Sequence, residues 1–164
     1  ATISTDSTIT NITEAPIIIS VGDAGGFTND VTVDEGALAV FLVTLSKATL
    51  TATSFALELS NDSAQVGDDY VALTNTTNGT YNNGDPIAYM DAMKFSNGVT
   101  LNPDGISVSV PEGVTSFAVT VRTVDDAIQE QTDTFNLTVG GLTRIGTILN
   151  NDAPPTINHI GDAS

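Results

Sequence analysis

The chain contains no cysteine, no tryptophan, one histidine and only four lysines and arginines in 164 residues. Without cysteine there is no disulfide, no thiol nucleophile and no thiolate zinc site. Four cations are too few for a nucleic-acid backbone or an anionic lipid surface, both of which are held by Lys and Arg. Nucleic acid and direct membrane insertion are therefore not expected. No apolar run approaches the roughly 18 residues that span a bilayer. No basic-then-apolar leader opens the sequence, so any secretion signal is expected to lie elsewhere or to have been removed. A lone histidine and the lack of a G-x-S-x-G motif leave little for catalysis. An enzyme is not expected.

What the chain does have is acid. Twenty Asp and Glu give a formal charge of −16. They gather in knots between strand-like runs: Asp34–Glu35, Asp68–Asp69, Asp125–Asp126 with Glu130 and Asp133, and Asn150–Asn151–Asp152. Like charges held this close repel and cost stability. A hard divalent cation reverses the sign of that cost. Ca²⁺ takes about 6–8 oxygen ligands from carboxylates, amides and carbonyls on flexible loops, whereas Mg²⁺ demands tighter octahedral geometry. Asp125–Asp126–x₃–Glu130 can bring three carboxylates to one ion if its loop folds back. The spacing is not that of an EF-hand, so such an ion would be shared among distant loops. The expectation is a calcium-stabilised extracellular β-domain.

Strand signals recur along the whole chain, and long helical periodicity is absent. Ile17–Val21 is apolar and β-branched. Ala37–Leu45 is a long apolar run, expected to be largely buried. Thr53–Leu59, Ile106–Val110, Ser116–Val124, Asp133–Val139 and Thr143–Leu149 alternate or nearly so. Phe117, Val119, Val121, Phe135, Leu137 and Val139 point inward on this pattern. About seven strands separated by Gly, Asn, Asp and Pro predict an all-β, antiparallel Greek-key sandwich of immunoglobulin-like type.

Residues 75–103 break the rhythm and read as an insertion at the sheet edge. It is expected to hold an extra hairpin or strand, with a short helical turn near Asp91–Lys94. The plain reading is a surface excursion. The sharper one is a loop that recognises a glycan or peptide, and exposure of Tyr81, Tyr89 and Met90 separates the two. Residues 1–15 read as a linker, 16–152 as the domain, and 153–164 as a linker to a next unit. In that last stretch Pro154–Pro155 favours extended backbone, and its lone His159 reads as solvated.

Several segments together resemble a known family. They are VDEGALAVFLVTL at Val33–Leu45, VGDDY at Val66–Tyr70, VDDAIQEQTDTFNLTV at Val124–Val139 and IGTILNND at Ile145–Asp152. In this order they resemble the Calx-β domain. FSNGVTLNPDG, VPEGVTSFAVTV and LTVGG narrow the resemblance to the immunoglobulin-like repeats of large bacterial RTX adhesins. The resemblance implies a seven-stranded sandwich with Ca²⁺ where the loops gather at one end. It implies as ligands Glu35, Asp69, Asp125, Asp126, Glu130 and Asp152, with Asp68 as a neighbour and Asp62 at the margin. It also implies an extender module of a secreted adhesin, monomeric, whose partners are neighbouring repeats. The chain departs from the family at Asn150–Asn151–Asp152, where three acids are usual. That site carries less charge, and affinity falls with ligand charge.

Overall fold

Period-two alternation forces one face of each strand inward, and two such faces close on each other. The structure, a computed structural model, describes residues 14–71 and 93–161. Tyr81, Tyr89 and Met90 lie outside the described residues.

Ten strands follow in order: β1 (Ile18–Asp23), β2 (Val31–Asp34), β3 (Leu38–Leu45), β4 (Thr53–Asn61) and β5 (Lys94–Phe95) come first. Then come β6 (Thr100–Leu101), β7 (Ser107–Val110), β8 (Ser116–Arg122), β9 (Asp133–Val139) and β10 (Leu142–Leu149). One sheet has the order β1-β3-β8-β5 and the other β2-β10-β9-β4-β7-β6. Among the described residues there is no helix. The all-β sandwich expected from the sequence is the fold observed. It differs from expectation in its ten strands, where about seven were expected, and at the seam where β2 runs parallel to β10, pairing Val31–Asp34 with Gly146–Leu149. A first strand that changes sheets produces this. β1 pairs with β3 in one sheet, and the chain then crosses to the other as β2.

The core lies between the sheets. Phe41, Val43, Phe117, Val119, Val121, Phe135, Leu137 and Val139 are fully enclosed. Phe135 sits at its centre, stacked on Tyr70 at 5.0 Å and edge-on to Phe41 at 6.1 Å. Such contacts add about 0.5–1.5 kcal/mol each beyond the area they bury. The run at 37–45 is largely buried, as expected, but its two faces differ. Ala39, Phe41, Val43 and Leu45 turn inward, while Leu38 is exposed and Val40 and Leu42 are half-buried. An outer sheet face tolerates aliphatic side chains, and apolar runs do not by themselves reveal which face is wet.

The described end of the insertion is two short strands, one on each sheet. β5 pairs with β8 and β6 with β7. A turn at Asn97–Gly98, both with positive φ, carries the chain between them. Of the helical turn expected near Asp91–Lys94, residues 91 and 92 lie outside the described residues, and Lys94 is in a strand.

Candidate metal centre

The strand ends decide where the carboxylates go. The β2–β3 turn, the loop after β4, the β8–β9 connection and the exit from β10 all emerge at one pole. The turn Asp34–Ala37 is closed by Ala37 N–H donating to Asp34 O at 3.1 Å, and Glu35 N–H donates to Leu149 O at 3.0 Å. Gly36 makes the turn possible. Its φ is +78°, and a Cβ there would lie 2.7 Å from Asp125 Cβ, so only glycine allows the two loops to touch.

Two groups of acids result. Carboxylate oxygens of Glu35, Asp126 and Asp152 lie within 4.8 Å of one another, and so do those of Asp69, Glu130 and Asp133. Glu35 is buried, with 8 % of its surface exposed. Burial pushes its carboxyl above the ordinary range, and the charges of Asp152 and Asp126 push it further. Burial also raises Asp69, followed by the charges of Asp133, Asp68 and Asp126. Glu130 is raised by desolvation and then by Asp69, Asp126, Asp133 and Glu35. Asp126 thus acts on both groups, and Glu130 feels both. A small cleft lined by Glu35, Asp69, Glu130, Asp133 and Asn150 joins them. Behind it, burial followed by Asp69 pushes the Tyr70 hydroxyl up to about 12.

Partial relief comes from backbone donors. Gln65 N–H donates to Asp69 Oδ2 at 2.6 Å, Asn151 N–H to Glu35 Oε1 at 2.8 Å, and Ile128 N–H to Asp126 Oδ1 at 2.7 Å. The chain exit is knitted to the site: Asn151 Nδ2 donates to Glu35 O at 3.2 Å, and Asp152 N–H to Asn150 Oδ1 at 2.7 Å. The Oδ2 of Asp152 is buried with no hydrogen-bond partner. An unmet buried acceptor costs about 1–3 kcal/mol, more when charged. The donor set is hard oxygen throughout, which suits Ca²⁺ rather than a soft or thiophilic ion.

Of the seven ligand candidates from the sequence, five fall in the two groups: Glu35, Asp126 and Asp152 in one, Asp69 and Glu130 in the other. Asp68 and Asp125 stand beside them in neither. Asp68 raises Asp69 through its charge, and Asp125 Oδ1 accepts from Asn151 Nδ2 at 3.4 Å. Asp62 is engaged elsewhere, accepting the Thr134 hydroxyl at 2.7 Å. Asp133 completes the second group but was not among the ligand candidates. Its membership in the Asp125–Asp133 knot was the available signal. Its place as the first residue of a strand concealed it.

No protein-family model matches the chain, and no curated protein sequence matches it. Solved structures do. The apo form of the Calx CBD1 domain is 17 % identical, with a TM-score of 0.53 over 85 % of this chain and 100 % of that one. CBD12 from CALX1.2 is 16 % identical, with a TM-score of 0.52 over 85 % of this chain and 46 % of that one. The chain therefore spans about half the length of the second protein. Two facing sheets, a first strand split between them and the acidic pole are the geometry just described, and the fold is Calx-β-like.

Proposed function

We propose that the domain is a calcium-binding structural module, an extender unit among neighbouring repeats of a large secreted bacterial adhesin. The observation that carries this reading is the pair of three-carboxylate groups at one pole, one of which includes the residue where the chain leaves the domain. Glu35, Asp126 and Asp152 would hold one ion, and Asp69, Glu130 and Asp133 another. Carbonyls and water would complete the oxygen shell. The unpartnered Oδ2 of Asp152 and the Calx-β-like fold support it. The domain performs no reaction on this reading. Calcium supplies charge compensation, locks four loops together and fixes the direction of the exit.

Small-angle scattering on two copies joined through 153–164 tests the spacer role. The tandem is expected to be extended and narrow in its distribution of dimensions with calcium, and more compact and variable in chelator at matched ionic strength. Equal dimensions in both, with each domain still folded, would restrict the ion to domain stability and sink the stiffened-spacer mechanism.

A further inference from the structure

One exposed feature is left over from this account. After the acidic pole the chain runs on as Thr156–Gly161 without regular structure, and Ile157 and Ile160 are each 83 % exposed. Two isoleucines three residues apart, both this exposed, call for a surface to cover them.

The sequence of β1 supplies the comparison. Pro16–Ala24 reads PIIISVGDA, and Pro155–Ala163 reads PTINHIGDA. Five of nine positions are identical without a gap: Pro, Ile, Gly, Asp and Ala.

Where the two segments agree is physically informative. Pro16 is buried, Ile18 is 7 % exposed and Val21 is fully enclosed. Their counterparts are Pro155, Ile157 and Ile160. Gly22 cannot carry a side chain, because a Cβ would lie 2.7 Å from Thr28 O, and its counterpart is Gly161. The differences fall elsewhere. Ile17 and Ile19, 61 % and 54 % exposed, become Thr156 and Asn158, and half-buried Ser20 becomes His159. Even the spacing is explained. Residues three apart point to opposite faces of a regular strand. In β1 the register shifts between Ile18 and Ser20, leaving Ile19 as an extra residue. A bulge of this kind turns both Ile18 and Val21 inward. The tail keeps that three-residue spacing.

We infer that the tail is the start of a β1 strand, with Ile157–Gly161 standing where Ile18–Gly22 stand in β1, and that its docking surface is the β3 edge of a second domain of this fold, next in the same chain. Its partner is therefore chemically defined: an antiparallel strand edge backed by aliphatic and aromatic core residues, as β3 offers here through Phe41, Val43 and Leu45. The connection between domains shrinks accordingly. Only the four residues Ala153–Thr156 separate the acidic pole at Asp152 from Ile157, the counterpart of the first residue of β1. The inference rests on the modular reading above for its neighbour, but not on calcium.

The test grafts the tail onto β1 in the full chain, as I17T/I19N/S20H/V21I. The graft is expected to melt cooperatively, with Tm lowered by less than about 10 °C, since the only buried change is one added methylene at Val21. Hydrogen-exchange protection along β3 is expected to survive. A permuted strand of the same five residues out of phase, I18T/S20N/V21H, is expected to lose the cooperative melt. Loss of the fold in I17T/I19N/S20H, which leaves Val21 in place, overturns the inference. So does a permuted strand as stable as the graft. Each variant is compared with the parent chain in calcium and again in chelator. Equal parental melts in the two would refute the calcium reading and leave this comparison standing.

Discussion

The sandwich is closed at one pole by neutral groups and at the other by charge. Away from the acids, Thr49 is buried. Its hydroxyl donates to Pro111 O and accepts Val114 N–H at 3.2 Å, while Gly113 N–H donates to Thr49 O at 2.7 Å. Every group in that closure finds its partner inside the chain. At the acidic pole Glu35, Asp69 and Glu130 are all held above their ordinary range by burial and then by neighbouring carboxylates, Asp126 among them in each case, and Asp152 Oδ2 has no partner. The same fold thus has one end whose polar closure is met by its own backbone and one where carboxylates crowd together. Local stability need not be uniform across a domain, and here its dependence on solution conditions should differ from pole to pole.

Four measurements sharpen or break this contrast. The largest effect is expected from chelation. Ligand occupancy at one hundred times Kd is worth about 2.7 kcal/mol per site. Two sites should raise Tm by roughly 10–20 °C over the chelated protein, with little recovery in magnesium. A melt that ignores chelator would reduce the acids to solvated turns.

Glu35→Gln should change sign with the metal. Its amide oxygen can still accept Asn151 N–H. In calcium the variant loses a ligand charge and should melt lower by the equivalent of about 2 kcal/mol. In chelator it removes a buried charge from among Asp126 and Asp152 and should melt higher than the parent. Destabilisation of equal size in both would show that Glu35 serves packing alone.

Thr49→Val should cost about 1–3 kcal/mol by leaving Pro111 O and Val114 N–H unmet. That loss should be the same with and without calcium. Calcium dependence there would mean that the two poles are coupled, and the contrast would fail.

The smallest effect is in pH. A raised carboxyl pKa means that the folded chain binds the proton more tightly than the unfolded one. The stability linked to that proton is present below the unfolded value and lost as pH rises through the folded one. For Glu35, Asp69 and Glu130 the unfolded values are near the ordinary 4.5, 3.8 and 4.5. The chelated protein should therefore gain a few degrees of Tm as pH falls from 7 towards 5. With calcium the slope should invert, because protons compete for the ligands. Parallel pH profiles in the two conditions would argue against shared residues.

The architecture was legible in the sequence because burial of Phe117, Val119 and Val121, or of Phe135, Leu137 and Val139, follows from alternation alone. The parallel seam between β2 and β10 was not legible. Nothing in Val31–Asp34 states which sheet a four-residue strand will join. The acidic pole could be anticipated from knots at strand ends, yet the partition of its acids could not. Asp125 and Asp126 are adjacent, but only Asp126 reaches the Glu35 group. Asp133 starts a strand and still points its carboxylate to the loops. Spacing along the chain cannot tell these apart, since they are set by where Gly36 lets two loops meet.

The parallel seam has a mechanical consequence. The chain enters β1 at Ile18, opposite Leu45, and leaves β10 at the acidic pole, so its two ends lie at opposite poles of the domain. A force applied through them draws the N-terminal strands one way and β10 the other. Because Val31–Asp34 and Gly146–Leu149 run side by side in the same direction, that pull slides one strand along its neighbour and strains their hydrogen bonds together. An antiparallel seam at the same place would be opened from its end, one bond after another. Rupture under tension is then a matter of the rate of crossing one high barrier, and the Glu35 contact to Leu149 O and Asn151 lies at the end of the seam where that pull arrives.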